Sequence, residues 1–439
     1  MKNNQLNYPF AECPVLPLFE SKEFIEQGNP AINQHITSIS INKIRDAGVV
    51  YELACDLLFS QRDNENSYKS YRSELSCFLH WCFDVVQLSP DEVSRRDMDK
   101  FVAYCQNPPI DLIGYFNVAQ FKLDKASDQR IPNPQWRPFV GKKIDGKEQQ
   151  YSLSDNALKT KMAILSSFYG FLMAEDFCER NPAQAWMNHS RFAQKRKYKA
   201  NEDELNTLAF TELQWSYLMS GVEELSQTQP ELHQRSLFLI KLIYSCYLRV
   251  SDVSARIGYS PIMGQFVQDK QTGIWRFNIP KSKGGKSRSI PISNALLDAL
   301  IEYRRFLGLS DLPEADEQTP LFIRHKAAGR GRDVGFINAN LGIRQVRDEV
   351  QKIIEHGANC AKNAGMFEDA KSMRKLTAHN IRHTGITHDI NIYRRPLSHV
   401  QADAGHESID TTSQYLHTTQ TERHQSTANK PIDSLAGIE

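Results

Sequence analysis

Six residues in the second half of this 439-residue chain carry groups suited to a phosphodiester: Arg249, Lys283, His379, Arg382, His406 and Tyr415. Attack on such a bond concentrates negative charge on the non-bridging oxygens, and a guanidinium offers forked donors that match them bidentately. Arg249 is a charged residue in the otherwise apolar helix of YSCYLRVSD; taken alone it also reads as a helix-end arginine paired with Asp252. Lys283 lies in PKSKGGKSRSIPI, a turn between two expected strands, where a lysine is ordinarily solvated. In HNIRH the i, i+3 spacing sets His379 and Arg382 on one helix face. His406 follows in AGHES, and a single histidine there is usually structural. Tyr415 comes nine residues later in the polar run DTTSQYLH, a poor setting for a core tyrosine.

Taken in this order, the residues resemble the tyrosine recombinase (phage integrase) family. The most specific parts are the HxxRHT run (379–384) and Gly405-His406 followed nine residues on by Tyr415. SKGGKSRSIPI is similar to the family's Lys-Gly turn, and residues 65–105 and 152–185 resemble its helical core-binding domain, which ends in Asn181-Pro182. The likeness runs over about 60–420 and is interrupted at 106–150, which has no counterpart in the minimal family pattern. Two departures spare every catalytic group: Tyr247 stands where Gly is common, and AGH replaces LGH.

The resemblance implies a phosphoryl transfer that needs no metal, nucleotide or other cofactor. Tyr415 attacks, leaving a 3′-phosphotyrosyl link and a free 5′-hydroxyl, and the stored bond energy makes rejoining independent of ATP. Arg249, Arg382 and His406 would hold the transition-state charge, in a site where each preorganised donor is worth roughly 10²–10³ in rate. A phenol with a pKa near 10 needs a base, for which His379 is the candidate. Lys283 is the candidate acid for the leaving oxygen. His383 is mostly structural in the family. The implied function is site-specific recombination, for integration or excision of a mobile element, since the chain exceeds the minimal chromosome-resolving members in length. A chromosome-dimer resolvase, a type IB topoisomerase and a non-catalytic DNA-binding protein of the same fold are the alternatives. The implied partners are double-stranded DNA with specific sites, a tetramer on paired sites and accessory directionality factors.

The elements that must position these groups are mainly helical. Residues 1–40 read as an irregular arm, and 41–190 as a helical core-binding domain with an insertion at 106–150, where Pro and Gly break the pattern. Helical spacing is clear at Tyr71, Leu75, Phe78, Leu79 and Cys82, and again at Leu158, Met162, Leu165, Phe168, Tyr169 and Leu172. Ser94 with Asp97 predicts a helix start. Residues 191–205 are a basic linker, and 206–439 a mixed catalytic domain with a C-terminal tail. Within it, 235–257 reads as helical, 264–292 as a three-stranded antiparallel sheet, and 293–307, 340–357, 378–391 and 396–405 as helices. The expected fold is a two-domain DNA clamp, mainly α with a small antiparallel sheet.

Composition fits that reading. Hydrophobic residues make up 40% and charged residues 24% of the chain, as in a globular protein. The net charge of +1 is low for a DNA binder, yet it divides unevenly, at +5 over residues 191–439 and −4 over 1–190. Clusters at 191–199, 281–288 and 324–332 make a DNA surface plausible. Lys159 and Lys161 read either as phosphate contacts or as part of a solvated face. The eight cysteines form no CxxC pair, so no zinc or redox motif is expected. Neither an apolar span nor a signal-like N-terminus occurs, which leads to the expectation of a cytoplasmic, nucleoid-associated protein.

Overall fold

The computed structural model describes residues 15–416 apart from 126–127, 190–208, 257, 281–286, 328–334 and 414. Lys283, the basic linker and the tail beyond Leu416 therefore lie outside the described residues. The chain divides into two compact units, residues 1–198 and 199–439.

In the first unit, helices α1 (Pro30–Asn42), α2 (Ala47–Ser60), α3 (Glu65–His80) and α4 (Arg95–Gln106) are followed by α5 (Asp155–Ala174) and α6 (Pro182–His189). The irregular arm expected through residue 40 is corrected by α1. Asn29 caps the Ala31 amide, Pro30 sits where a missing N–H costs nothing, and Ile32, Ile36 and Ile39 recur on the buried face. Ser94 and Asp97 form a capping box at α4. The core is aromatic: Phe78, Trp81, Phe101 and Tyr169 meet mostly edge to face. Lys161 belongs to that interior. Its ammonium is paired with Glu74 and its side chain is 8% exposed, so the expected phosphate contact or solvated face is left to exposed Lys159.

The described residues of 106–150 are structured. They form three two-stranded sheets: β1 (Ile113–Gly114) with β4 (Phe139–Val140), β2 (Phe121–Asp124) with β3 (Gln129–Pro132), and β5 (Lys143–Ile144) with β6 (Lys147–Glu148). Phe121, Trp136 and Phe139 join the helical core. Arg130 holds the buried carboxylate of Glu20 through Nη2 at 2.9 Å, and its carbonyl accepts from Asn29 Nδ2 at 2.8 Å. The insertion thus fastens the segment leading into α1.

The second unit opens with the antiparallel pair α7 (Glu212–Thr228) and α8 (Pro230–Ser245), joined at Gln229. The sheet follows as expected, in the order β7 (Phe266–Gln268), β8 (Trp275–Ile279), β9 (Arg288–Pro291), antiparallel, with Phe277 opposite both Phe266 and Ile290. Helices α9 (Asn294–Phe306), α10 (Ile343–Asn363), α11 (Phe367–Met373), α12 (Ala378–Asn391), α13 (Leu397–Ala404) and the short α14 (Ile409–Ser413) complete it. No helix among the described residues is long and apolar enough to cross a membrane.

Candidate active site

Arg249 lies just beyond α8, not within a helix: the helix ends at Ser245 and the Arg249 backbone is extended, with φ −78° and ψ 152°. Its N–H donates to Asp252 Oδ2 at 3.0 Å, closing the tight turn Val250–Asp252. Tyr247, two residues earlier, has φ +48°. A left-handed conformation costs a non-glycine residue about 1–2 kcal/mol, which accounts for the family's habit of Gly there. Here the phenol compensates. It donates to Asp389 Oδ2, and Arg395 Nη1 donates to it at 2.6 Å. Arg395 also bridges Asp389 and Asp403, at 2.8 and 2.7 Å.

Arg382 leaves α12 with 2% exposure. Its Nη1 donates to the Tyr247 carbonyl, and its Nη2 donates to the Ala404 carbonyl (2.8 Å) and to His406 Nε2 (3.0 Å). A guanidinium only donates, so His406 accepts at Nε2 and carries its proton on Nδ1, 2.9 Å from Thr412 Oγ1. His406 therefore offers no free donor in this state. Burial, then Arg382, Arg249 and Arg288, pull its pKa down to about 4. An arriving phosphate anion would offset that repulsion and raise the ring's pKa, so that Nε2 could take a proton from solvent and then donate.

Tyr415 follows α14, and its carbonyl accepts from Asn391 Nδ2 at 2.8 Å. The phenol lies 2.5 Å from His383 Nδ1, with the rings at 27° and centroids 5.4 Å apart; His406 stacks on it at 14°. Burial raises the Tyr415 pKa, and Arg382 and Arg249 partly oppose the rise. His383 is drawn down to about 4, first by burial and then by His379, Arg382 and His406. It is neutral at ordinary pH; with its proton on Nε2, Nδ1 accepts the phenolic hydrogen. The ring that meets the Tyr415 phenol is thus His383, while the expected base, His379, packs edge-on against His383 at 4.4 Å. Burial, Arg382 and Arg249 lower the His379 pKa as well.

Five of the six expected residues converge; the sixth, Lys283, lies outside the described residues. Sequence reasoning read His383 as mostly structural, although its place four residues after His379 already put both on one side of α12. It also left Arg288 in a generic cation cluster, although strand alternation sets Arg288 on the face of buried Ile290. Among the described residues, one group has metal-ligand spacing, Glu224, His356 and Cys360. It shares no residue with this site.

Residues 211–422 match the model of the Phage integrase family. The chain is 26% identical over 294 residues to the tyrosine recombinase XerC of Listeria welshimeri, spanning 67% of this chain and 82% of that one. It is 23% identical over 354 residues to the tyrosine recombinase XerC of Stutzerimonas stutzeri, spanning 79% and 91%. A solved structure of XerH site-specific recombinase bound to palindromic difH substrate is similar over 93% of both chains, with 14% identity and a TM-score of 0.48.

Proposed function

Residues 211–422 belong to the phage integrase family, and from that premise we propose that the chain is a site-specific tyrosine recombinase that cuts DNA with Tyr415 and rejoins it without a cofactor. The observation that carries the reading is the convergence of the Tyr415 phenol, the His383 imidazole and the buried Arg382 fork at one place. Arg249 and Arg382 receive the non-bridging phosphate oxygens, and His406 adds a donor once the anion has raised its pKa and the ring has taken a proton from solvent. The Tyr415 oxygen forms the bond to phosphorus while its proton passes to His383, with His379 beside it. The P–O5′ bond breaks, and Lys283 protonates the departing oxygen. One phosphodiester is exchanged for another, so the reverse attack by a 5′-hydroxyl reseals the strand.

In this reading the first unit is the second arm of a DNA clamp, residues 191–205 run along the backbone, and two pairs of protomers act on two sites. Double-stranded DNA with specific sites is the substrate, directionality factors are the expected accessories, and the nucleoid is the expected place of action. Integration or excision of a mobile element is the favoured role. Resolution of chromosome dimers is the second reading, favoured by the relatives named XerC. A two-site recombination assay beside a supercoil-relaxation assay tests the proposal. Exchange between paired sites is expected; relaxation without exchange would make the protein a topoisomerase instead.

A further inference from the structure

Arg288 stands at the start of β9 with its side chain 9% exposed, against an Asp252 side chain that is wholly buried. Its Nη2 donates to Asp252 Oδ2 at 2.9 Å and its Nη1 to the Ala404 carbonyl at 2.7 Å. Both acceptors are shared with the site. Asp252 Oδ2 also takes the N–H of Arg249, and the Ala404 carbonyl also takes Nη2 of Arg382. We propose that Arg288 is a positioning residue, whose two arms fix the turn bearing Arg249 against the turn bearing His406 and so set the spacing of donors around the scissile phosphate. The inference rests on the recombinase reading above.

The geometry separates this role from simple charge neutralisation. A guanidinium serving only Asp252 would lay two parallel N–H groups on both carboxylate oxygens. Here Asp252 Oδ1 and Arg288 Nε are left without partners, because the fork is turned to span two elements. A lysine could reach one acceptor but not hold both at a fixed angle. The chain also keeps room for the span: at Gly405, with φ +65°, a Cβ would lie 2.9 Å from Arg288 Nη1.

Arg288 also places a third cation beside His406, which faces Arg382 from α12, Arg249 from the turn after α8, His383, Thr412 from α14 and the Tyr415 ring. Removing that charge should therefore let His406 protonate at higher pH.

The experiment uses the full chain on a nicked single-site suicide substrate, comparing Arg288→Lys with the double variant Asp252→Asn/Arg288→Met. The double variant avoids leaving a buried carboxylate unpaired, which alone would unfold the site. For Arg288→Lys, the cleavage rate is expected to fall roughly 10–100-fold while DNA affinity stays within about threefold, the pattern of misplaced rather than missing groups. Thermal melting establishes folding, and if the double variant does not fold, Arg288→Lys decides alone. Wild-type cleavage rates in the folded variants, or equal losses of binding and cleavage, would overturn the proposal. A wild-type protein that forms no adduct would instead overturn the recombinase reading itself.

Discussion

Gly385 lies in α12 three residues after Arg382, where that helix crosses α8. A Cβ built there would stand 2.2 Å from the Tyr244 carbonyl oxygen and 3.1 Å from Tyr247 Cδ1. The nearer atom is backbone and cannot swing aside, so Gly385→Ala must part the two helices by roughly 1 Å in a close-packed interior. Alanine gains about 1 kcal/mol in helix propensity. Against this stand about 1–3 kcal/mol of overpacking and about 1.5–3 kcal/mol if Arg382 loses the Tyr247 carbonyl. The net is a destabilisation of about 1.5–5 kcal/mol, a fall of roughly 3–20 °C in the melting temperature of a unit this size. Cleavage should fall further than stability explains, by on the order of 10²-fold under conditions where the variant is folded, because Arg382 moves with the helix. Differential scanning calorimetry and single-turnover cleavage of a suicide substrate measure the two effects. An unchanged or raised melting temperature would refute the reasoning, since it would mean that α8 and α12 do not approach so closely.

Three further outcomes follow from the site. His383→Ala should slow cleavage by about 10²–10⁴-fold, the usual worth of a positioned base, and by more than His379→Ala, which leaves the Tyr415–His383 contact in place; the reverse ranking would return the base role to His379. His383 and His406 are held down to about 4, below the roughly 6.5 of an unfolded histidine. Their contribution to stability is therefore complete above pH 6.5 and is lost as pH falls towards 4, so the melting temperature of the free protein should drop over that window, and the acid limb of cleavage, set by the base His383, should lie well below pH 6.5. A cleavage limb at the ordinary histidine value would contradict the burial of His383. Lys283→Ala should slow cleavage of ordinary DNA, and a 5′-bridging phosphorothiolate, whose sulfur leaves without a proton, should restore much of the rate; without such rescue, Lys283 is not the acid.

Much of the catalytic half was legible because its signals are local. The i, i+3 spacing of His379 and Arg382 survives as one face of α12, and the alternation over 264–292 becomes the β7–β8–β9 sheet. What escaped depends on contacts distant in sequence. Which histidine of HNIRH meets Tyr415 is decided 32 residues later, by a chain reversal at Gly405 and a short helix with little apolar pattern of its own. Arg288 looked like one cation among several, because its acceptors, Asp252 and Ala404, lie 36 and 116 residues away. Helix α1 had its cap, its proline and its isoleucine stripe in plain view, but proline-rich flanks obscured them. The insertion at 106–150 broke helical periodicity because it is built from two-residue to four-residue strands, too short to show alternation.

The central claim is that Tyr415 is the nucleophile. Trapping the wild-type protein on a nicked suicide substrate, digesting the adduct and mapping the modified peptide by mass spectrometry tests it directly. The expected result is a nucleotide joined through its 3′-phosphate to the Tyr415 oxygen, with the adduct missing from a Tyr415→Phe protein that still binds DNA. An adduct on another residue, or one that persists in Tyr415→Phe, would contradict the account.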